Sequence, residues 1–539
     1  MNVADAVPEL TVQLVWNRLL AIVEEQAQVL MRTAFSTVVR EAGDLSAGVF
    51  NRRGEMLAQA VTGTPGHVNS MADAVVKFLR VYPLQKLQPG DVLVTNDPWD
   101  GTGHLNDFTV VTPVFVGQRC VGLFASTSHI ADVGGRGFGP DANDVFEEGL
   151  RIPISYLFQA GQRNETLMGI LKANVRDPVV AEGDLYSLTA CNDAGAGQLL
   201  ELLKDTGLDD IEAVGDLILE RSRAAMLAEI AALPPATTRY EMVIDGYDVP
   251  ITLSATLNVD TAGVRVDFAG SSPVSDKGIN VPLAYTQAYA SFGVRCVIGN
   301  EIPNNAGSLG VVTITAPEGC ILNAPHPRAV SARHSIGQML PDVVLGCLSQ
   351  VPGVDAPAEG ASCIWNPVFL NMVGADHPFV INPIFNGGTG ARTGKDGLST
   401  TAFPSGVRTT SVEVNEATSP LVFWQKEYTP GSGGAGTHRG GLGQTIELGH
   451  RHGEAFVISK MFDRLQFPAR GRAGGAAGAC GAVTATSDEG VRQLPAKGRD
   501  VVHAGERLQL ATPGGGGIGE ENQREPGAVD TDRLNGLLS

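Results

Sequence analysis

The stretch NDPWDGTGHLNDFTVVTPVF, from Asn96 to Phe115, joins a turn crowded with acidic and imidazole side chains directly to a β-branched run. The apolar residues of PGDVLV before it predict a short buried strand that ends at this turn. Phe108–Phe115 and Cys120–Thr127 have the composition of two further strands. The sequence therefore predicts a sheet here, with polar chemistry where a strand meets a turn.

Helical patterns surround these strands. Val12–Val39 carries apolar residues at every third or fourth position, which predicts an amphipathic helix, and Val68–Tyr82 and most of Glu165–Leu233 follow the same period. Tyr240–Phe268 alternates as strands, and much of the later sequence is rich in β-strand patterns and glycine turns. We predict an α+β fold with mixed and antiparallel sheets, an N-terminal amphipathic helix and a β-rich C-terminal part.

A chain of 539 residues exceeds one ordinary hydrophobic core, so about two to four domains are expected. With 66 glycines and only 6% aromatic residues, the composition predicts many tight turns and close backbone approaches rather than disorder. The predicted regions are 1–235 with a metal site and a helical extension, 236–420 as a central α+β region, 421–520 as a β-rich region and 521–539 as a mobile tail.

The formal net charge of −19 argues against nucleic acid or an anionic membrane surface as a partner. Seven cysteines occur without a CxxC spacing, which indicates thiols in a reducing compartment. The first residues lack the basic character of a signal peptide, and apolar runs are too short to span a membrane. These patterns predict a cytoplasmic protein.

A constellation of possible metal ligands occupies the turns beside these strands. His104 and Asp107 form a His-x-x-Asp pair, His129 opens the later motif HIAD with Asp132, and Glu41 and Asp44 precede the first predicted strand. Imidazoles combined with carboxylates suit Zn²⁺, Mn²⁺ or Fe²⁺ better than Ca²⁺. The same residue types also cap turns, so the spacing alone leaves both interpretations open.

At these residues the chain resembles the hydantoinase B/oxoprolinase family, and the likeness extends from Arg32 to about Gly519. Each motif is loose by itself, whereas their order along one chain is specific. The motifs are REAGDLSAGVFNRRGEMLAQA, PGDVLVTNDPWDGTGHLNDFTVVTPVF, SHIADVGG, EEGLRIP, NVPLAYTQAYASFGVRCVI, IPNNAGSLGVVTITAPEGCILNAPHPRAV, GSGGAGTHRGGLG and TPGGGGIG.

The resemblance implies a divalent metal, Zn²⁺, Mn²⁺ or Fe²⁺, whose ligands are Asp44, His104, Asp107 and His129. Three further residues are candidates for catalytic roles. Asp132 or Glu41 is expected to orient a metal-bound imidazole or to accept a proton from water. His67 is expected either to donate to an oxyanion from the start of a helix or to cap that helix. These three are Glu41, His67 and Asp132.

The resemblance also implies a function. The chain is expected to be the metal-binding subunit of a two-component hydrolase that opens a hydantoin or 5-oxoproline ring. A partner of the hydantoinase A type binds ATP with Mg²⁺, in a hetero-oligomer such as (αβ)₂. The alternative is a subunit of a biotin-independent, ATP-dependent ketone carboxylase, and a non-catalytic scaffold is disfavoured by the intact ligand set. The sequence departs from the family at Gly103 and Ile130, which leaves the substrate open.

A phosphate-binding loop is missing from the motifs. The nearest match is GGTGARTGKDG, Gly387 to Gly397, but its glycine spacing is wrong and Asp396 stands where Ser or Thr must bind Mg²⁺. The ATP site is therefore expected on the partner.

Overall fold

The computed structural model describes residues 8–372 and 379–538 of the chain. Its helices range from single turns to long amphipathic helices. In chain order they are α1 (Glu9–Thr33), α2 (Thr37–Arg40), α3 (Pro65–Val81), α4 (Val145–Glu148), α5 (Glu165–Asn174), α6 (Pro178–Thr206), α7 (Glu212–Ala231), α8 (Leu283–Arg295), α9 (Ala306–Leu309), α10 (His334–Gly337), α11 (Leu340–Leu348), α12 (Val412–Thr418) and α13 (Pro526–Leu534).

The strands of the described residues form four sheets. In chain order they are β1 (Leu45–Phe50), β2 (Met56–Gln59), β3 (Val92–Thr95), β4 (Asp107–Val116), β5 (Arg119–His129), β6 (Ser155–Gln159), β7 (Gln162–Arg163), β8 (Ala236–Ile244), β9 (Ile251–Asp260), β10 (Gly263–Asp267), β11 (Val312–Thr315), β12 (Val368–Asn371), β13 (Val380–Ile381), β14 (Leu421–Tyr428), β15 (Gln444–His450), β16 (Phe456–Met461), β17 (Ala482–Ser487), β18 (Gly490–Gln493), β19 (Lys497–Val502) and β20 (Arg507–Ala511).

The sheet orders are β2-β1-β5-β4-β3-β6-β7, β11-β10-β9-β8, β13-β12-β16-β19 and β14-β15-β20-β17-β18. Neighbouring strands are antiparallel, except that β10 and β11 run parallel. The predicted α+β class with mixed and antiparallel sheets is therefore confirmed. The division into regions 1–235, 236–420, 421–520 and 521–539 remains a prediction.

The first sheet is covered by helices on both faces. One face of β1, β4 and β5 packs against α1 and α6 in one hydrophobic cluster, and the other packs against α3 in a second cluster. Phe108 and Val110 lie in the first cluster, whereas Val111 lies in the second, as the alternation of side chains along a strand requires. Because both faces are buried, the ends of the strands remain for ligands.

The N-terminal helix is shorter than predicted. Its buried face includes Val12, Leu19 and Leu30, as the period indicated, but α1 ends at Thr33 and α2 forms a separate turn from Thr37. The break is stabilised by Asp184, whose carboxylate accepts from the backbone N–H groups of Phe35 and Ser36. A carboxylate distant in sequence therefore decides where this helix stops.

Glycine permits very close backbone packing in the later part of the chain, as the composition predicted. A Cβ atom at Gly388 would lie 1.9 Å from the carbonyl oxygen of Gly441, and one at Gly440 would lie 1.9 Å from that of Gly515. No side chain fits such gaps, so the loops 387–390, 433–441 and 514–517 meet backbone to backbone.

The end of the chain contains helix α13, where the sequence predicted a mobile tail. Asp532 of this helix is buried and lies 3.3 Å from Nε of Arg439 and 2.6 Å from Nη2 of Arg524. Among the described residues, no helix is long and apolar enough to cross a bilayer. The cytoplasmic location remains a prediction.

Candidate metal centre

Three side chains that could hold a metal ion converge at the mouth of the first sheet. One ligand atom from each of His104, Asp107 and His129 lies within 4.8 Å of the other two, and all three residues are buried. Asp107 is the first residue of β4 and His129 is the last residue of β5, and antiparallel pairing sets them directly opposite each other. His104 joins them from the turn that connects β3 to β4.

The Asp107 carboxylate is the centre of this cluster. Its Oδ1 lies 2.7 Å from Nε2 of His104 and 3.3 Å from Nδ1 of His129. Its Oδ2 accepts from Thr102 Oγ1 at 2.6 Å and lies 2.9 Å from Nε2 of His67. Burial alone would raise the pKa of Asp107, but the neighbouring imidazoles and a buried arginine outweigh it and hold the pKa well below its usual range.

The protonation state of the His104 ring indicates whether this cluster can bind a cation. Its Nδ1 lies 3.0 Å from the backbone carbonyl oxygen of Ser331, which can only accept, so Nδ1 carries the proton of the neutral ring. Burial and the nearby charge of Arg333 lower the pKa of His104 to about 4, which keeps the ring neutral at pH 7. Its Nε2 and Asp107 Oδ1 are then two acceptors only 2.7 Å apart. Such a pair fits a shared cation, and neutral imidazole with carboxylate is the ligand chemistry of Zn²⁺, Mn²⁺ and Fe²⁺.

Asp44, expected as the fourth ligand, lines the same pocket but lies outside this close group. Its backbone carbonyl accepts from the N–H of His129 at 3.4 Å, and its Oδ1 accepts from Thr64 Oγ1 at 2.8 Å. His67 is buried between the two carboxylates, with Nδ1 3.5 Å from Asp44 Oδ1 and Nε2 2.9 Å from Asp107 Oδ2. Burial opposes protonation of His67, but the two carboxylates outweigh it and raise its pKa.

The structure does not bring Asp132 and Glu41 to the pocket. The Asp132 carboxylate binds Arg176 and accepts from the N–H of Gly134, and Glu41 pairs on the surface with Nε of Arg40 at 3.1 Å. Neither residue is among those that line the pocket, so their expected roles beside the metal ligands have no support in this geometry. Proximity in sequence to Asp44 and His129 suggested both residues, and local backbone direction turned them away.

Sequence reasoning missed the opposite wall of the pocket, which residues 330–338 supply. Arg333 has a 3% exposed side chain, donates through Nη2 to Asp107 Oδ2 at 2.5 Å and through Nε to the carbonyl oxygen of Thr102 at 2.9 Å. Its guanidinium carbon lies 4.0 Å from the centre of the Tyr285 ring, in cation–π geometry. The one signal in the sequence is an Arg-His pair before an apolar helix, and no spacing rule connects it to His104.

His334 also faces this pocket. Its Nε2 lies 2.9 Å from Asn366 Oδ1, an acceptor, so Nε2 carries the proton and Nδ1 is left as an acceptor. Burial and the positive charge of Arg333 hold the pKa of His334 well below its usual range, which keeps the ring neutral. The pocket has a volume of about 40 Å³, and its apolar wall consists of Val38, Phe138, Ile364 and Ile384.

Fold and site together identify the class of protein: the chain belongs to the hydantoinase B/oxoprolinase family, whose sequence profile matches residues 9–521. Two named relatives show how this unit occurs in other proteins. Caprolactamase subunit beta of Pseudomonas jessenii is 27% identical over 100% of this chain and 95% of its own length. 5-Oxoprolinase 1 of Arabidopsis thaliana is 30% identical over 96% of this chain, which spans only 42% of that longer protein.

Two solved structures share the fold. The ATP-dependent caprolactamase from Pseudomonas jessenii superposes with a TM-score of 0.91, at 24% identity, over 99% of this chain and 95% of the other. A nucleotide-free acetone carboxylase superposes with a TM-score of 0.85, at 18% identity, over 98% of this chain and 78% of the other. The same architecture therefore occurs in proteins named for amide hydrolysis and for ketone carboxylation.

Proposed function

We propose that this chain is the metal-binding subunit of a two-component, ATP-dependent hydrolase that opens a cyclic amide. The observation that carries the proposal is the convergence of His104, Asp107 and His129, which are all buried and place one ligand atom each within 4.8 Å of the other two. The names of the relatives, 5-oxoprolinase and caprolactamase subunit beta, support the substrate class and a separate partner.

His104, Asp107 and His129 hold the metal in this proposal, with Asp44 as the fourth ligand because its carboxylate lines the same pocket. A divalent ion bound there supplies a Lewis acid that polarises a carbonyl and brings the pKa of water down toward about 7. The protein contributes the orientation of the ligands. The carbonyl of Ser331 holds the proton of His104 on Nδ1, which directs the lone pair of Nε2 toward Asp107.

The residues missed by sequence reasoning take the remaining roles. Arg333 is a buried donor whose position is held by Thr102 and Tyr285, so it can donate to negative charge that develops on the amide oxygen. His334, neutral and held through Asn366, presents Nδ1 as an acceptor that orients a water or an amide N–H. These two residues replace Asp132 and Glu41 in the proposed chemistry.

ATP use belongs to a partner of the hydantoinase A type in this proposal. An unstrained amide resists water because resonance stabilises its carbonyl, and phosphorylation of the amide oxygen removes that resonance. The glycine loop of residues 387–397 lacks the helix that a phosphate-binding loop needs, because the next helix, α12, begins only at Val412. Its backbone instead packs against Gly441 and Gly515.

The metal is tested by elemental analysis of protein prepared without chelators. We expect a stoichiometric divalent ion in the parent chain and its loss in the double variant His104→Ala, His129→Ala. A matched control removes two exposed histidines, His452→Ala with His503→Ala, and retains the ion. Equal metal content in the first variant and the parent would place any metal elsewhere.

The reaction is tested by mixing the chain with an ATPase partner and the metal. One assay contains hydantoin, 5-oxoproline or ε-caprolactam, and a second contains a ketone with labelled bicarbonate. ATP-dependent ring opening supports the hydrolase. Label fixed from bicarbonate without ring opening would assign the chain to the carboxylases, a function that the shared fold with acetone carboxylase also permits.

A further inference from the structure

A second cavity, much larger than the metal pocket, lies among residues of the central region. Its volume is about 410 Å³, within the range of about 300–1,000 Å³ that is typical of small-molecule sites. Its walls are mainly apolar and include Val297, Ala358, Ala402 and Phe403. Gly390, Arg392 and Thr393 of the glycine loop 387–397 are part of its wall, and the other wall residues come from segments far apart in the chain.

Asp342 contributes a carboxylate to the wall of this cavity, and its side chain is only 1% exposed. Oδ2 of Asp342 accepts from the N–H of Gly360 at 3.0 Å and from the hydroxyl of Ser362, and it lies 3.6 Å from Nη2 of Arg464. Oδ1 has no hydrogen-bond donor among the residues that the structure describes. A ligand with an N–H group in the cavity would give this oxygen a donor.

The charge and the walls select the chemical class of that ligand. The Asp342 carboxylate favours a donor group over a phosphate or a carboxylate in contact with it. The charged residues of the remaining wall, Arg392 and Asp355, are exposed. The apolar walls favour a ring or chain of methylene groups. Both requirements together describe a neutral, largely apolar molecule with one N–H donor.

The position of the cavity relates it to the metal pocket. A narrow cavity of about 10 Å³ shares Gly360, Thr389 and Phe403 with the large cavity, and it shares Ile364 with the metal pocket. The narrow cavity therefore adjoins both the large cavity and the metal pocket. This arrangement suits a ligand that is also the substrate of the metal centre.

We propose that the large cavity binds the cyclic amide, with its methylene ring against Ala402 and Phe403 and its N–H donating to Oδ1 of Asp342. This inference rests on the proposed function, since it takes the substrate of the metal centre as the occupant. It adds a binding site that is separate from the metal ligands. The site favours lactams that carry a free N–H and few polar substituents.

The experiment compares ε-caprolactam with N-methyl-ε-caprolactam, which has no N–H, in a ligand-observed NMR titration of the purified full chain. We expect the N-methyl compound to bind about tenfold more weakly, the effect of losing one hydrogen bond to a charged group. Asp342→Leu removes the acceptor and should weaken ε-caprolactam binding by a similar factor. Ala402→Phe fills the cavity and should abolish binding without altering Asp342.

The matched control is Ala228→Phe, which adds the same ring on the exposed face of α7 and should bind like the parent. Metal content is measured on every sample. Equal binding of both lactams, or full binding by the Ala402→Phe variant, contradicts the inference. Binding that is lost only in His104→Ala, His129→Ala places the ligand at the metal pocket, which overturns this inference and leaves the proposed function intact. Absence of metal from the parent chain counts against the proposed function alone.

Discussion

Two of the buried clusters of charged side chains in the described structure, one around Asp107 and one around Glu359, differ in their hydrogen bonds. Glu359 accepts on Oε1 from Tyr240 Oη at 2.8 Å and from Nε of Arg470 at 2.8 Å. On Oε2 it accepts from Nη1 of Arg464 at 3.2 Å. Each of these partners carries a proton at neutral pH, so every contact joins a donor to an acceptor.

In the Asp107 cluster, one of the close contacts does not join a donor to an acceptor. In the neutral ring, Nδ1–H of His104 donates to the carbonyl oxygen of Ser331, so Nε2 faces Asp107 Oδ1 as an acceptor. The pKa of Glu359 is lowered, because Arg464 and Arg470 outweigh the effect of its burial. By contrast, burial and Arg333 lower the pKa of His104, so its ring carries no second proton that could donate to Asp107.

The hydrogen bonds of the two clusters distinguish a structural charge cluster from a possible ligand site. A buried network whose donors and acceptors are balanced stabilises the fold and needs no further partner. A buried group of imidazole and carboxylate side chains whose ligand atoms converge can hold a metal ion, and this is the role proposed for His104, Asp107 and His129. Four predictions test this distinction.

Asp107→Asn should have the largest effect and reduce ring opening by more than about 100-fold, because a metal ligand loses its charge while its shape is kept. The measurement is steady-state turnover with partner, ATP and metal, together with metal content. Unfolding midpoints are measured as well, because the variant also removes the charge partner of the buried Arg333. If turnover survives, the acceptor pair is structural and the two clusters are alike.

Arg464→Met should destabilise the protein by about 3–5 kcal/mol, because the buried Asp342 loses its cationic partner, although Glu359 retains Arg470. Denaturant unfolding monitored by circular dichroism gives the value. Metal content of the folded variant should equal that of the parent. Loss of metal with unchanged stability would reverse the roles of the two clusters.

Arg333→Lys should lower turnover by about tenfold to 100-fold while metal remains bound, because lysine keeps the charge but loses the planar contact with Tyr285 and one of two directed donors. Turnover and metal content are measured in the same preparation. Metal loss comparable to that in His104→Ala would show that Arg333 acts only by positioning Asp107.

Glu148→Gln should have the smallest effect and should appear only in the pH dependence of stability. Burial raises the pKa of Glu148 to about 8, although the N–H groups of Val330 and Ser331 oppose the shift. The folded chain therefore binds this proton more tightly than the unfolded chain, which favours folding most below the unfolded pKa, about 4.3. This contribution is lost as the pH rises through about 8.

Glutamine cannot titrate, so the variant should lose less stability than the parent between pH 5 and pH 8. Unfolding midpoints across that range provide the test. Parallel curves for the two proteins would show that Glu148 is already ionised in the folded chain.

Much of the fold was accessible from local patterns. The buried face of α1 and the strands β3, β4 and β5 followed from periodicity and β-branched runs, since those signals depend on neighbouring residues. The end of α1 was mispredicted because Asp184, which satisfies the backbone at Phe35 and Ser36, lies in another helix. Periodicity contains no information about such distant partners.

The residues of the site can be divided in the same way, into those that the sequence indicated and those that it did not. The sequence predicted the α+β class and the family, and the resemblance implied His104, Asp107 and His129 as ligands. These three side chains do lie close together, since antiparallel pairing sets Asp107 opposite His129. Only the tertiary structure decided that Asp132 and Glu41 face away, that Arg333 and His334 complete the pocket, and that Asp342 lines a separate cavity. Those contacts join segments far apart in the chain, and their geometry depends on how helices and sheets pack rather than on any local spacing.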